Sequence, residues 1–193
     1  MRVSHETVCT DTRHWLERAV IGLNLCPFAK SVHAKGQVHY AVSDAHYADE
    51  LLSDLESELL ALAQSNAATR DTTLLIAPYC LDDFLDFNDF LEQADKALVR
   101  LGLDGVLQIA SLHPRYQFAG TEVDDITNFT NRSPYPTLHL LREESIDRAV
   151  AAFPNAESIF EVNIATMERL GAAGWAALQV GASPVAPKPD DIK

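Results

Sequence analysis

The sequence predicts one α/β or α+β domain: a sandwich whose mixed sheet of about four strands is packed with about five helices. Three observations predict it. Short apolar runs alternate with longer stretches whose apolar residues recur at steps of three and four. The chain has 193 residues, one domain and a tail at roughly 150 residues per domain. Its composition, 47% hydrophobic and 22% charged, suits a core that needs neither disulfide nor metal. The domain is expected over residues 1–180. The Pro-rich end, 181–193, lacks core residues and reads as a disordered tail.

The elements follow in order. Thr10 or Asp11 is expected to cap a first helix with Trp15, Leu16, Ala19, Val20 and Leu23 on one stripe, ending between Gly22 and Asn24. Val38 to Val42 reads as a short strand. Asp44 then opens a helix to about Gln64 that buries Ala48, Leu51, Leu55, Leu59 and Leu62. Thr72 to Ala77 is nearly all apolar and stops at Pro78, as a strand covered on both faces does. Asp83 to Leu101 is the clearest helix, with acids at its N-terminal end, Lys96 and Arg100 at the other, and Gly102 as the stop. Gly105 to Leu112 is a strand. Arg115 to Thr137 is irregular. Leu138 to Leu141 is a last strand, expected antiparallel because no crossover helix precedes it. Helices over Glu143–Phe153 and Asn155–Leu170 flank Pro154.

Lys plus Arg number 15 and Asp plus Glu 28, a formal charge of −13. Such a chain repels nucleic-acid phosphates and anionic membranes, so neither is an expected partner. No apolar run reaches the ~20 residues of a membrane span, and the first residues form no secretory signal. Cys9, Cys26 and Cys80 are odd in number and make no CxxC pair, which suits reduced thiols in the cytoplasm.

The 113–142 stretch concentrates the candidate chemistry. Loops longer than ~12–15 residues inside compact domains are uncommon and are often functional. This one carries Tyr116, Gln117, Asp124, Asp125, Asn128, Asn131, Arg132, Ser133 and Tyr135, stiffened by Pro114, Pro134 and Pro136. His113 precedes it; His139 and Arg142 follow on the next strand. Convergent donors and acceptors suit a small polar or anionic molecule. Arg132 is the best anion anchor, since its planar fork grips carboxylate or phosphate. The bland account is a loop whose side chains cap its own backbone, with Arg132 paired to Glu122, Asp124 or Asp125.

Cys26 follows a helix end in a turn fixed by Pro27. It reads either as a nucleophile activated by His113 or His139, or as a small buried hydrophobe. Cys9 and Cys80 lack polar company that would activate a thiol and read as core or surface residues. His5, His14, His33, His39 and His46 are scattered and read as surface residues. The leading expectation is an enzyme, hydrolase or group transferase, whose cleft joins the Cys26 turn to 113–142. Arg132, Asn128 and Asn131 would orient substrate, His113 or His139 would move a proton, and Asp124 would orient a histidine. A second expectation is a metal-dependent enzyme using His113, His139 and a loop acid; no ligand spacing supports it, and no metal or cofactor is assigned. A third is a non-catalytic binding or assembly module. The oligomeric state is left open.

Asn24-Leu-Cys-Pro-Phe-Ala29, His113-Pro-Arg-Tyr-Gln-Phe-Ala-Gly-Thr121 and Asn131-Arg-Ser-Pro-Tyr-Pro-Thr-Leu-His-Leu-Leu-Arg142 carry a resemblance. With these motifs the chain resembles a bacterial family catalogued as domain of unknown function 1415, from the Trp15 helix to about Leu178. The resemblance implies that the Cys26 turn and the 113–142 region are the family's marked segments. It implies no activity.

Overall fold

A computed structural model describes residues 3–152 and 158–184. Its sheet has four strands: β1 (Val38–Val42), β2 (Thr72–Ile76), β3 (Leu107–Leu112) and β4 (Thr137–Arg142). Their order is β1-β2-β4-β3. β1 and β2 are parallel, and β4 runs antiparallel to both of its neighbours. So β1, β2 and β3 share one direction and β4 is wedged among them in the other, as expected for a strand entered without a crossover helix.

Helices α3 (Ala48–Gln64) and α4 (Phe84–Arg100) connect the parallel strands. Both pack on one face, where Leu51, Leu55, Leu59, Leu62, Phe87, Phe90, Ala94 and Leu98 meet Leu75, Leu107, Leu138 and Leu140. Each buried Leu or Phe contributes roughly 1.5–3 kcal/mol of burial. Asp83 caps α4, accepting from the Leu85 N–H at 2.9 Å. On the other face, Val8 packs with Leu74, Ile76 and Tyr135, and Trp15, Leu16 and Ala19 pack with Val180. Covered on both sides, β2 is buried at every position.

The first helix differs from expectation. α1 spans His5–Trp15 and starts at Ser4, whose hydroxyl accepts from the Thr7 N–H at 3.1 Å. Thr10 and Asp11 are therefore interior residues. Asp11 lies on the buried side, where it accepts from the Tyr135 hydroxyl at 2.7 Å and from the N–H and hydroxyl of Ser183 at 2.8 and 2.7 Å. The helix continues as a π-helix, Leu16–Ile21. Its wide turn is fixed by bonds from Gly22 N to Glu17 O at 3.0 Å and from Leu25 N to Val20 O at 2.9 Å. Only glycine fits at 22: a Cβ there would lie 2.2 Å from the Arg18 carbonyl oxygen.

Other boundaries move as well. α3 begins at Ala48 rather than at Asp44, which instead meets His5 at 3.0 Å. A short α2, Ala29–Ala34, was not expected. The long loop holds a 3-10 turn, Ile126–Asn131. α5 spans Glu143–Ala152, and α6 spans Ile159–Leu178, past the expected end at Leu170. Gly171 lets α6 continue with a break, at φ 64° and ψ 175°. Phe153, the expected helix start at Asn155, and 185–193 of the expected tail lie outside the described residues. Among the described residues no helix is long and apolar enough to cross a membrane.

Candidate functional site

Most polar groups of the 113–142 segment are engaged with the chain itself. His113 is fully buried at the end of β3. Its Nδ1 accepts from the Arg115 N–H and its Nε2 donates to the Leu81 carbonyl, each at 3.0 Å. That pattern assigns one neutral tautomer. The ring packs against Phe84 and Phe87 with centroids 5.4 and 5.0 Å away. Burial pushes its pKa down, against the pull of the Leu81 carbonyl. Leu81 is left-handed at φ 58°, an uncommon state for a side chain of its size, and His113 braces it.

Arg132 is tied to its own loop. Its Nε donates to the Tyr116 carbonyl at 3.2 Å and its Nη2 to the Val123 carbonyl at 2.6 Å, and its guanidinium lies 4.0 Å from the Phe129 ring centroid. Asn128 is fully buried; its Oδ1 accepts from the Phe118 N–H at 2.9 Å and the Thr121 hydroxyl at 2.8 Å, and its Nδ2 donates to the Glu122 carbonyl at 2.8 Å. Gln117 donates to the Thr121 carbonyl at 2.7 Å. Tyr116 packs tilted against Phe84 and edge-on to Phe118, with ring centroids 5.0 Å away in each case. Asn131 accepts through its carbonyl from the His113 N–H at 3.2 Å. Ser133 donates to the Tyr135 carbonyl at 2.6 Å. Arg142 caps the end of α3, donating to the carbonyls of Leu62 and Ser65 at 2.6 and 2.7 Å. Asp125 caps the 3-10 turn, and Asp124 is exposed.

The two histidines face opposite ways. His113 lies on the α4 side. His139 pairs with Leu74 in β2, on the side where Leu74 packs with Val8, while its neighbours Leu138 and Leu140 point toward α3 and α4. Its Nε2 donates to the Thr72 hydroxyl at 2.8 Å, which in turn donates to the Leu140 carbonyl at 2.6 Å. Though it keeps some accessible surface, burial pushes its pKa down to about 4. One cleft or one metal ion shared by both rings is therefore ruled out by the sheet between them. Cys26 is partly buried in a turn tied to α6, where Asn163 Nδ2 donates to the Leu25 carbonyl at 2.9 Å.

A second polar region, which the sequence reading passed over, is less committed. Thr10, Arg13, His14, Glu17 and Arg18 line an open hollow of about 340 Å³ on the outer side of α1 and the π-helix. Their spacing of three and four places them on one helical face. Among the described residues the buried Nε2 of His14 has no hydrogen-bond partner. Glu17 Oε1 meets His33 Nε2 at 3.1 Å. Arg18 spends one Nη1 bond, at 3.0 Å, on the Leu178 carbonyl. The Arg13 guanidinium lies 5.2 Å from the Tyr40 ring centroid. The buried Tyr40 hydroxyl has no partner of hydrogen-bond geometry among the described residues, and burial pushes its pKa up against the pull of Arg13. The signal for this face was available: two of only 15 cationic side chains, five residues apart, with a histidine between them in sequence.

A family model described as a protein of unknown function, DUF1415, matches residues 7–177. The chain belongs to that family. No curated protein and no solved structure matches it. The DUF1415 match takes in the helical hollow, the Cys26 turn and the 113–142 segment alike.

Two thiols of this DUF1415 chain are poor nucleophiles. Cys80 is buried, and burial, with Asp82, Glu50 and Asp54 around it, pushes its pKa up to about 11. It does have polar company, brought by folding. Burial raises Cys9 as well. Among the described residues no group of three or more His, Cys, Asp or Glu can hold a metal ion.

Proposed function

We propose that this chain captures a small anionic metabolite in the hollow lined by Arg13, His14 and Arg18. The observation that carries the reading is the unpartnered, buried Nε2 of His14 in a hollow that Arg13 and Arg18 also line, on a chain of net charge −13. A buried polar atom without a partner costs about 1–3 kcal/mol, which a ligand oxygen relieves. The π-helix adds weight, because such insertions occur frequently at functional sites. Arg13 and Arg18 are exposed, so affinity is modest, about millimolar. The expected small-molecule partner is thus kept, and its site moves from 113–142 to residues 10–18. Three free thiols suit a reducing cytoplasm.

An enzymatic reading, hydrolase or group transferase, rests on the same side chain, since an imidazole beside a bound ligand is the residue type that proton transfer most often uses. Backbone-amide NMR during titration with sodium acetate and inorganic phosphate tests capture. Saturable shifts at residues 10–18, lost in Arg13→Ala, support it. Shifts that stay linear with salt and are unchanged in Arg13→Ala reject it.

A further inference from the structure

We infer that the ligand of this hollow is a small amino-acid-like zwitterion, carrying one carboxylate and one ammonium group. The inference rests on the anion-capture reading and adds the class of molecule captured. The wall is mixed in charge. Arg13 and Arg18 supply two fixed positive charges and Glu17 one negative, all on the same hollow. A wall for phosphate dianions alone would gain nothing from a carboxylate at its centre, which repels any second negative charge. Glu17 gives only Oε1 to His33. Its Oε2 remains an acceptor, and no acceptor-only anion can use it.

Helical geometry sets the charges at a spacing that one small molecule spans. Arg13 and Glu17 are four residues apart, as are His14 and Arg18, and such pairs lie about 5–6 Å apart between Cβ atoms. The hollow, about 340 Å³ and open to solvent, has room for a free amino acid. Gly22 holds the arrangement: the wide turn it permits carries both Glu17 and Arg18.

The test uses three probes of nearly one shape, L-alanine, L-lactate and propionate. All share a carboxylate; they differ in carrying an ammonium, a hydroxyl or a hydrogen beside it. Each is titrated into the full-length protein, with amide shifts of residues 10–18 as the readout. L-alanine is expected to bind about tenfold tighter than propionate, with L-lactate between them. In Glu17→Gln that preference collapses to within about twofold, while propionate binding holds or improves. Equal binding of the three probes overturns the zwitterion inference and leaves anion capture standing. A preference for L-alanine that survives in Glu17→Gln overturns it as well. Failure of all three, together with acetate and phosphate, overturns both readings.

Discussion

Residues 113–142 and residues 10–18 are both polar, and they differ in where their hydrogen bonds go. In the first region Asn128 makes three bonds to its own loop, Arg132 spans two carbonyls, and both ring nitrogens of His113 are engaged. At its far end Arg142 leaves a buried Nε without a partner among the described residues, but its Nη2 is spent on the end of α3; in the second region His14 keeps such a nitrogen beside an open hollow that Arg13 and Arg18 also line. The first region is polar because a long irregular segment must satisfy its own backbone. The second is polar on a helix, where the backbone is already satisfied and side chains are left for other uses. Polar content alone does not mark a site; unspent polar content beside an open hollow does.

Substitutions should separate the two regions. The largest effect is expected at Asn128. Asn128→Ala empties a fully buried position and takes the partner from the Phe118 N–H and the Glu122 carbonyl, and should cost about 2–4 kcal/mol in urea unfolding while acetate still binds. A similar loss with abolished binding would join the two regions into one site.

Acid should act on the fold through His139. Its folded pKa, about 4, lies below the ordinary value of 6.5, so the unfolded chain binds the extra proton first. Stability attached to the neutral ring is whole above about pH 6.5, falls as pH drops through that value, and levels off near pH 4, a loss of about 3 kcal/mol at most. His113, also pushed down by burial, adds with the same sign. His139→Gln should flatten the stability profile over that window. An unchanged slope would show that His139 does not govern it.

A smaller cost, about 1–3 kcal/mol, is expected for Arg132→Ala, since two carbonyls lose charged donors. Thermal unfolding reads the cost, and amide shifts at 10–18 should respond to acetate as before. Loss of that response would return Arg132 to the role of anion anchor. The smallest stability change, within about 0.5 kcal/mol, is expected for Arg13→Ala, which is exposed. A large change there would make Arg13 a structural residue and weaken the comparison.

Much of the fold was legible. Thr72–Ile76 announces itself as an interior strand because it is apolar on both faces, and α4 because its apolar stripe and end charges agree. What failed needed partners distant in sequence. Asp11 looks like a helix cap until Tyr135 and Ser183, 124 and 172 residues away, arrive to make it an interior acceptor. Cys80 looks apolar until Glu50 and Asp54 fold beside it. The opposed directions of His113 and His139 depend on which strands pair, and no local pattern encodes that. The same limit hid the hollow. His14 differs from the other scattered histidines only in what surrounds its Nε2.

The most direct test is an amide-resolved acetate titration of the unsubstituted protein at neutral pH, comparing 10–18 with 113–142. The account predicts saturable shifts centred on Arg13, His14 and Arg18, with 113–142 nearly silent. Saturable shifts centred on Arg132 and Asn128, with 10–18 silent, would contradict it.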